Sequence, residues 1–344
     1  MTEHAFETSA RAAVASERRW RLDLIPNPYG PVDSVIDAVS RFDGWSTPSG
    51  DQAETLRVRL AARAGVSSDW IVLANGIDEL HAMIAQWRSH QGPTVVFPPS
   101  DPMLEAWLGR HSAQVEPVWR GPGFALPIEA GTRGLPRGAT SVVLTPNDPT
   151  GTIVSVQEAV RLSRQSALVV IDERHAAYSP RTLAPLVREF DNLVLLQTFE
   201  TFAALTAFPL AWAVAPPKIA REIAAQGRPS GLAQVSVVAA LAALEAETEI
   251  KATVRRVMIE KGRLFRQLRK LNMISPPYPS WSNFLLARIE RGTSAYFIPR
   301  LRERGITVFE VESPKLPNHL RISGVSQDAT TALKQALIEI ALDL

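Results

Sequence analysis

Leu168-Val169-Val170-Ile171-Asp172-Glu173 is a short, unbroken apolar run that ends on two carboxylates. A run of this kind without polar alternation suits a strand buried on both faces, as in a parallel sheet covered by helices. The same kind of run recurs at Trp70-Leu73, Thr94-Phe97, Val115-Trp119, Ser141-Thr145, Leu193-Gln197 and Trp212-Ala215. Between these strands, helical patterns cover Glu54-Ala64, Asp78-Arg88, Met103-Ser112, Val156-Gln165 and Pro217-Ala225. The alternation predicts a large α/β unit with a mostly parallel sheet. Glu249-Leu271, with apolar positions three and four apart, predicts a long connecting helix. Beyond it the chain reads strand (Phe284-Ile289), helix (Ser294-Arg304), strand (Thr307-Val311), strand (His319-Ile322) and helix (Thr330-Leu342), a small α/β lobe. The expected division is an amino-terminal arm over residues 1–45, a large domain over 46–248 and a small carboxy-terminal domain over 249–344.

Composition narrows the function classes. Of 344 residues 46% are apolar and 21% charged, ordinary globular values that support a sizeable core without metal or disulfide staples. No cysteine is present, which removes disulfides, thiolate metal sites and a cysteine nucleophile, and no metal site is expected. The net charge is only +2 and no basic run interleaves with aromatics, so nucleic acid is not an expected partner. The first twenty residues lack an apolar core of signal-peptide length, and Ala233-Leu244 is too short to span a bilayer, so a cytoplasmic, membrane-free protein is expected. The chain has six lysines, none of them before Lys218.

Four anchors occur in order: Asn75-Gly76-Ile77-Asp78-Glu79, Pro146-Asn147-Asp148-Pro149-Thr150-Gly151, Val170-Ile171-Asp172-Glu173 and Leu320-Arg321-Ile322-Ser323-Gly324. Together with Gln197-Thr198-Phe199-Glu200-Thr201-Phe202-Ala203-Ala204-Leu205-Thr206-Ala207-Phe208-Pro209, they resemble the fold-type-I pyridoxal phosphate enzymes of the class I/II aminotransferase group. The likeness is strongest to the histidinol-phosphate aminotransferase and threonine-phosphate decarboxylase branch. It runs from Asn27 to the last helix and implies the aminotransferase-like fold and a homodimer. The subunit interface is expected near Trp45 and Asn75-Asp78.

The resemblance assigns Asp172 to the pyridine nitrogen, Asn147 to the phenolic oxygen and Arg321 to a substrate carboxylate, which it would grip as a bidentate pair. Asn27 and Tyr29, in the arm segment Asn27-Pro28-Tyr29-Gly30-Pro31, fall over the substrate side. Other positions depart from the family's pattern. The lysine that carries the cofactor as an imine is matched by Thr201, whose hydroxyl cannot form one. The phosphate-binding serine is matched by Glu200, the arginine that closes the phosphate cup by Pro209, the stacking aromatic by Asp101, and a tyrosine by His175 in Asp172-Glu173-Arg174-His175. Near Trp45-Ser46-Thr47-Pro48 the tyrosine that reaches the partner's phosphate is missing.

These substitutions predict no covalently bound cofactor and no tight binding of pyridoxal or pyridoxamine phosphate. The leading expectation is a repurposed cleft for a small amino- or carboxylate-bearing molecule. There Arg321 would hold a carboxylate, Asp101, Asp172 and Glu200 would form an acidic pocket, and His175 would be the proton carrier. One alternative keeps pyridoxal or pyridoxamine phosphate bound without a covalent link and acts on an amino acid-like substrate. The other is a non-catalytic pseudoenzyme or the partner of an active paralogue.

Overall fold

Continuous apolar strands and amphipathic helices assemble into two layered lobes in the computed structural model, which describes residues 20–46, 50–128, 134–228, 231–324 and 326–344. The amino-terminal segment and Thr47-Pro48, read above from the sequence, lie outside the described residues.

The arm contributes β1 (Trp20–Leu22) and α1 (Asp33–Ser40). The large lobe runs α2 (Gly50–Ala64), β2 (Ile71–Ala74), α3 (Ile77–Arg88), β3 (Thr94–Val96), α4 (Pro102–His111), β4 (Val115–Pro117) and β5 (Thr140–Leu144). It continues with α5 (Val156–Gln165), β6 (Leu168–Asp172), β7 (Leu193–Thr198), β8 (Ala211–Val214), α6 (Pro217–Ala224) and α7 (Gln234–Glu245). After the long α8 (Glu247–Leu268) come β9 (Phe284–Arg288), α9 (Ser294–Glu303), β10 (Ile306–Glu310), β11 (His319–Ser323) and α10 (Gln327–Leu342).

The large sheet has the order β2-β8-β7-β6-β5-β3-β4 and is parallel except for β8, which is antiparallel to both neighbours. Strands β5 and β6 are buried at every position, which is why neither shows polar alternation. Along β6, Val169 and Ile171 enter the core on one face while Leu168 and Val170 face α3 on the other. Asp172, next in that alternation, therefore points to the α3 side at the carboxyl end of the strand. Ligands of open α/β sheets bind at these strand ends.

Three elements go beyond the expected pattern. Helix α1 lies in the arm. Helix α7 is apolar around its circumference because it packs between α1 and α2, so its sequence carries little helical periodicity. Strand β1, at three residues too short to show a period, pairs in parallel with β10 and makes the small sheet four-stranded, in the order β1-β10-β11-β9. The first described strand thus belongs to the small lobe's sheet. No described helix is long and apolar enough to cross a membrane.

Candidate functional site

Asp172 lies at the carboxyl end of β6 and is completely buried. Its Oδ2 accepts hydrogen bonds from Arg174 Nε at 2.9 Å and Nη2 at 2.6 Å, and lies 2.8 Å from Nε2 of His81 on α3. Its Oδ1 accepts from the Arg174 backbone N–H at 2.9 Å. Burial alone would raise this carboxyl, but the Arg174 charge and the His81 hydrogen bond hold it far below the usual carboxylate range. In the reverse direction, Asp172 lifts the Arg174 guanidinium above its ordinary value despite burial.

Arg174 also reaches Asp101 at 3.4 Å through Nη1. Asp101 is the N-cap of α4, its side chain accepting from Met103 N at 2.9 Å, with Pro102 pre-set for the first helical turn. The expected acidic pocket of Asp101, Asp172 and Glu200 is therefore corrected. Arg174 supplies its counter-charge, and the one carboxylate expected to meet the pyridine nitrogen is engaged on both oxygens.

The next station is the amino-terminus of α3. Gly76 precedes it with φ 97°, a left-handed conformation that glycine takes without steric cost. Glu200 Oε1 accepts from Ile77 N at 3.2 Å and from Thr198 Oγ1 at 2.9 Å. A Cβ on Gly76 would stand 3.1 Å from Glu200 Oε1 and 3.2 Å from Pro209 Cβ, so carboxylate and proline ring close over the turn. A helix amino-terminus favours an anion, and here the anion is the chain's own glutamate. Burial raises the Glu200 carboxyl above its ordinary value. Thr201 beside it donates its hydroxyl to the Arg174 carbonyl at 2.5 Å, and its own carbonyl accepts from Tyr178 Oη at 3.2 Å. Lys261, the only buried lysine among the described residues, is on α8 and donates to the Ser280 carbonyl.

Asn147, fully buried, donates from Nδ2 to Pro99 O and Thr150 Oγ1 and accepts on Oδ1 from Arg120 Nη2 at 3.0 Å. Arg321, on β11, ion-pairs with Asp148 Oδ2 and donates to the Asp23 carbonyl, its guanidinium 4.2 Å from the Phe309 ring centre. The arginine expected to take a substrate carboxylate already holds an internal one. Burial nonetheless pushes the Asp148 carboxyl up to about 6, against the pull of Arg321.

His175 is buried edge-on to Phe284, and burial together with the Arg174 charge lowers its imidazole to about 3. The expectation of a proton carrier near neutral pH is corrected by this environment: the ring stays neutral across that range. Asn27 donates to Phe202 O and Thr253 Oγ1, and Tyr29 lies under the Arg256 guanidinium at 4.0 Å. In these contacts both residues tie the arm to α8 and, through Asn27, to the loop after Thr201.

Three buried side-chain atoms in this region have no hydrogen-bond partner: Asp148 Oδ1, Arg321 Nε and His175 Nδ1. No described cluster of His, Asp or Glu could hold a metal ion. Sequence reading missed the roles of Arg174, His81 and Asp148. Only Arg174 carried a signal, a cation two residues beyond a strand-ending aspartate.

The sequence profile described as "Aminotransferase class I and II" matches residues 27–337. The chloroplastic histidinol-phosphate aminotransferase of Nicotiana tabacum is 28% identical over 322 residues, covering 92% of this chain and 78% of that protein. The histidinol-phosphate aminotransferase of Dehalococcoides mccartyi is 28% identical over 323 residues, covering 93% and 90%. Among solved structures, histidinol-phosphate aminotransferase from Sinorhizobium meliloti in complex with pyridoxal-5'-phosphate superposes with a TM-score of 0.82 at 20% identity, covering 94% of this chain and 91% of that one. L-threonine-O-3-phosphate decarboxylase from Porphyromonas gingivalis superposes at 0.80 with 19% identity, covering 94% and 100%. These structural likenesses establish the fold.

Proposed function

This chain belongs to the class I and II aminotransferase family, and we propose that it works there without pyridoxal phosphate, its remodelled cleft receiving a small zwitterion that carries an amine and a carboxylate. The single observation that carries the reading is the Arg174 guanidinium seated on Asp172. Bound pyridoxal phosphate supplies an electron sink, which depends on a carboxylate facing its pyridine nitrogen and on an anion-binding cup for its phosphate. The residues present do not fit that group. Asp172 is engaged on both oxygens, the cup at Ile77 holds Glu200, and Thr201 cannot form an imine. A phosphate dianion brought to Glu200 would meet a like charge in a partly desolvated site.

The spare atoms support the ligand class. Arg321 Nε is a buried donor on a cation, and Asp148 Oδ1 is a buried acceptor on the carboxylate paired with it. Buried polar atoms without partners are rare and favour an occupant that satisfies them. A carboxylate against Arg321 and an ammonium against Asp148 match both atoms, with neutral His175 Nδ1 as a further hydrogen-bonding group. The pairing of Arg321 with Asp148 also favours a second reading, a non-catalytic member that acts as a structural subunit, in a homodimer or with an active paralogue.

Two measurements test these readings. Wild-type protein mixed with pyridoxal phosphate and dialysed is expected to show no retained absorbance band at about 400 nm. A retained band sinks the cofactor-free reading. Thermal-shift screening against the standard amino acids is expected to find a stabilising ligand whose effect disappears in Arg321→Gln. If none stabilises, the structural-subunit reading replaces the ligand-binding one.

A further inference from the structure

A groove of about 660 Å³ runs between the Arg120–Phe124 segment of the large lobe and Tyr278, Arg288, Lys315 and His319 of the small lobe. No carboxylate is among its lining residues, while three basic side chains, Arg120, Arg288 and Lys315, are. Arg120 is the most constrained of them, 6% exposed, with three of its five N–H groups used on Phe97 O, Phe124 O and Asn147 Oδ1. None of these acceptors is charged. Glu158 influences Arg120 electrostatically but is committed elsewhere, capping α5. Burial without an ion-pair partner lowers the Arg120 guanidinium to about 10. Lys315 lies over the Trp119 ring at 4.8 Å, and Arg288 is exposed at the end of β9.

The remaining wall is aromatic. Phe124 meets Tyr278 edge-on at 5.2 Å, and Tyr278 stacks on His319 at 5.8 Å. His319 Nδ1 lies 2.9 Å from the Pro317 carbonyl and donates to it, which leaves Nε2 toward Tyr278 Oη at 3.5 Å. Cations gathered in a cleft with low-dielectric walls focus a positive potential there, and aromatic faces add affinity for a flat ring.

We propose that this groove binds a small organic anion in which a planar ring carries the anionic head group. The head group lies among Arg120, Arg288 and Lys315, and the ring rests on Phe124 and Tyr278. The hydrogen bond from Arg120 to Asn147 connects the groove to the buried polar network of Asn147, Pro99 and Thr150. The proposal is independent of the cofactor-free reading. The two are separated experimentally by repeating the pyridoxal phosphate dialysis in the Arg288→Glu/Lys315→Glu background, where the groove no longer contributes.

Isothermal calorimetry on the full chain tests it with phenyl phosphate, benzoate, inorganic phosphate and benzylamine. Phenyl phosphate or benzoate is expected to bind saturably, the tighter of the two identifying the head group. Removing one charge-assisted hydrogen bond to the head group should weaken binding by about tenfold, so the double variant of two exposed residues should weaken it at least about tenfold. Inorganic phosphate is expected to bind about threefold to tenfold more weakly than phenyl phosphate, for want of the ring, and benzylamine not at all. No saturable binding of either aromatic anion, undiminished binding in the double variant, inorganic phosphate binding as tightly as phenyl phosphate, or benzylamine binding as well as benzoate would each overturn the proposal.

Discussion

The strand-end cluster around Asp172 and the groove lined by Arg120 are built from similar side chains with opposite outcomes. At the strand ends, Arg174 joins Asp172 and Asp101, Glu200 faces a helix amino-terminus, and Arg321 holds Asp148. In the groove, Arg120, Arg288 and Lys315 share a cavity that no carboxylate lines. A buried ion pair is strongly destabilised by removing one member, whereas exposed cations outside any ion pair, such as Arg288 and Lys315, contribute little to stability. The first region should therefore resist mutation as a structural unit, while Arg288 and Lys315 of the second should tolerate it and show their role only when an anion is offered.

The sharpest way to break this contrast is Arg174→Ala. It leaves Asp172 buried with His81 as its one remaining side-chain partner and should cost about 3–5 kcal/mol in denaturant unfolding. Adding Asp172→Asn should recover part of the loss, because no uncompensated charge then remains. A loss below about 1 kcal/mol would show that the pair does not organise the site.

The next largest effect is a pH slope. The His175 imidazole is lowered to about 3 from an ordinary 6.5, so between those values the unfolded chain binds a proton that the folded chain does not. Stability therefore falls as pH drops through that window, by about 1.4 kcal/mol per pH unit from this residue. Asp148 acts with the opposite sign. Raised to about 6 from 3.8, it is protonated first in the folded state and so favours folding on acidification over that narrower range. Subtracting the profile of His175→Asn from that of wild type isolates the histidine, and equal slopes would place His175 in a solvated environment.

Glu200→Gln should cost about 1 kcal/mol or less, since the amide keeps an acceptor for Ile77 N and loses only the charge at the amino-terminus of α3. At the small end, Arg288→Glu and Lys315→Glu should each change stability by no more than about 0.5 kcal/mol. A loss several times larger from either would mean that the groove, too, is a structural element.

Most of the architecture was legible because burial on both faces leaves a mark in composition. Strands β5, β6 and β7 are nearly continuous apolar runs, and α5 announces itself through Ser155 and Glu158, which form a capping box. β1 and α7 were missed, the first too short for periodicity and the second apolar on all sides. At the site, the family resemblance drew attention to positions 101, 175, 200 and 201. Their partners did not, because a hydrogen bond such as Arg321 to Asp148 joins residues 173 apart.

The sequence alone determined that this chain has the alternation of a parallel α/β sheet, that it contains no cysteine, and that residue 201 is a threonine, whose hydroxyl cannot form an imine. Those are properties of covalent structure and of local patterning, and folding does not alter them. Only the tertiary structure decided which charge meets which. Arg174 turns back onto Asp172, Glu200 caps α3 across 123 residues, and Arg120 faces the groove with no carboxylate lining it. The reason is that pairing energies depend on separation and burial in space, and the order of residues along the chain specifies neither until the strands and helices have been packed.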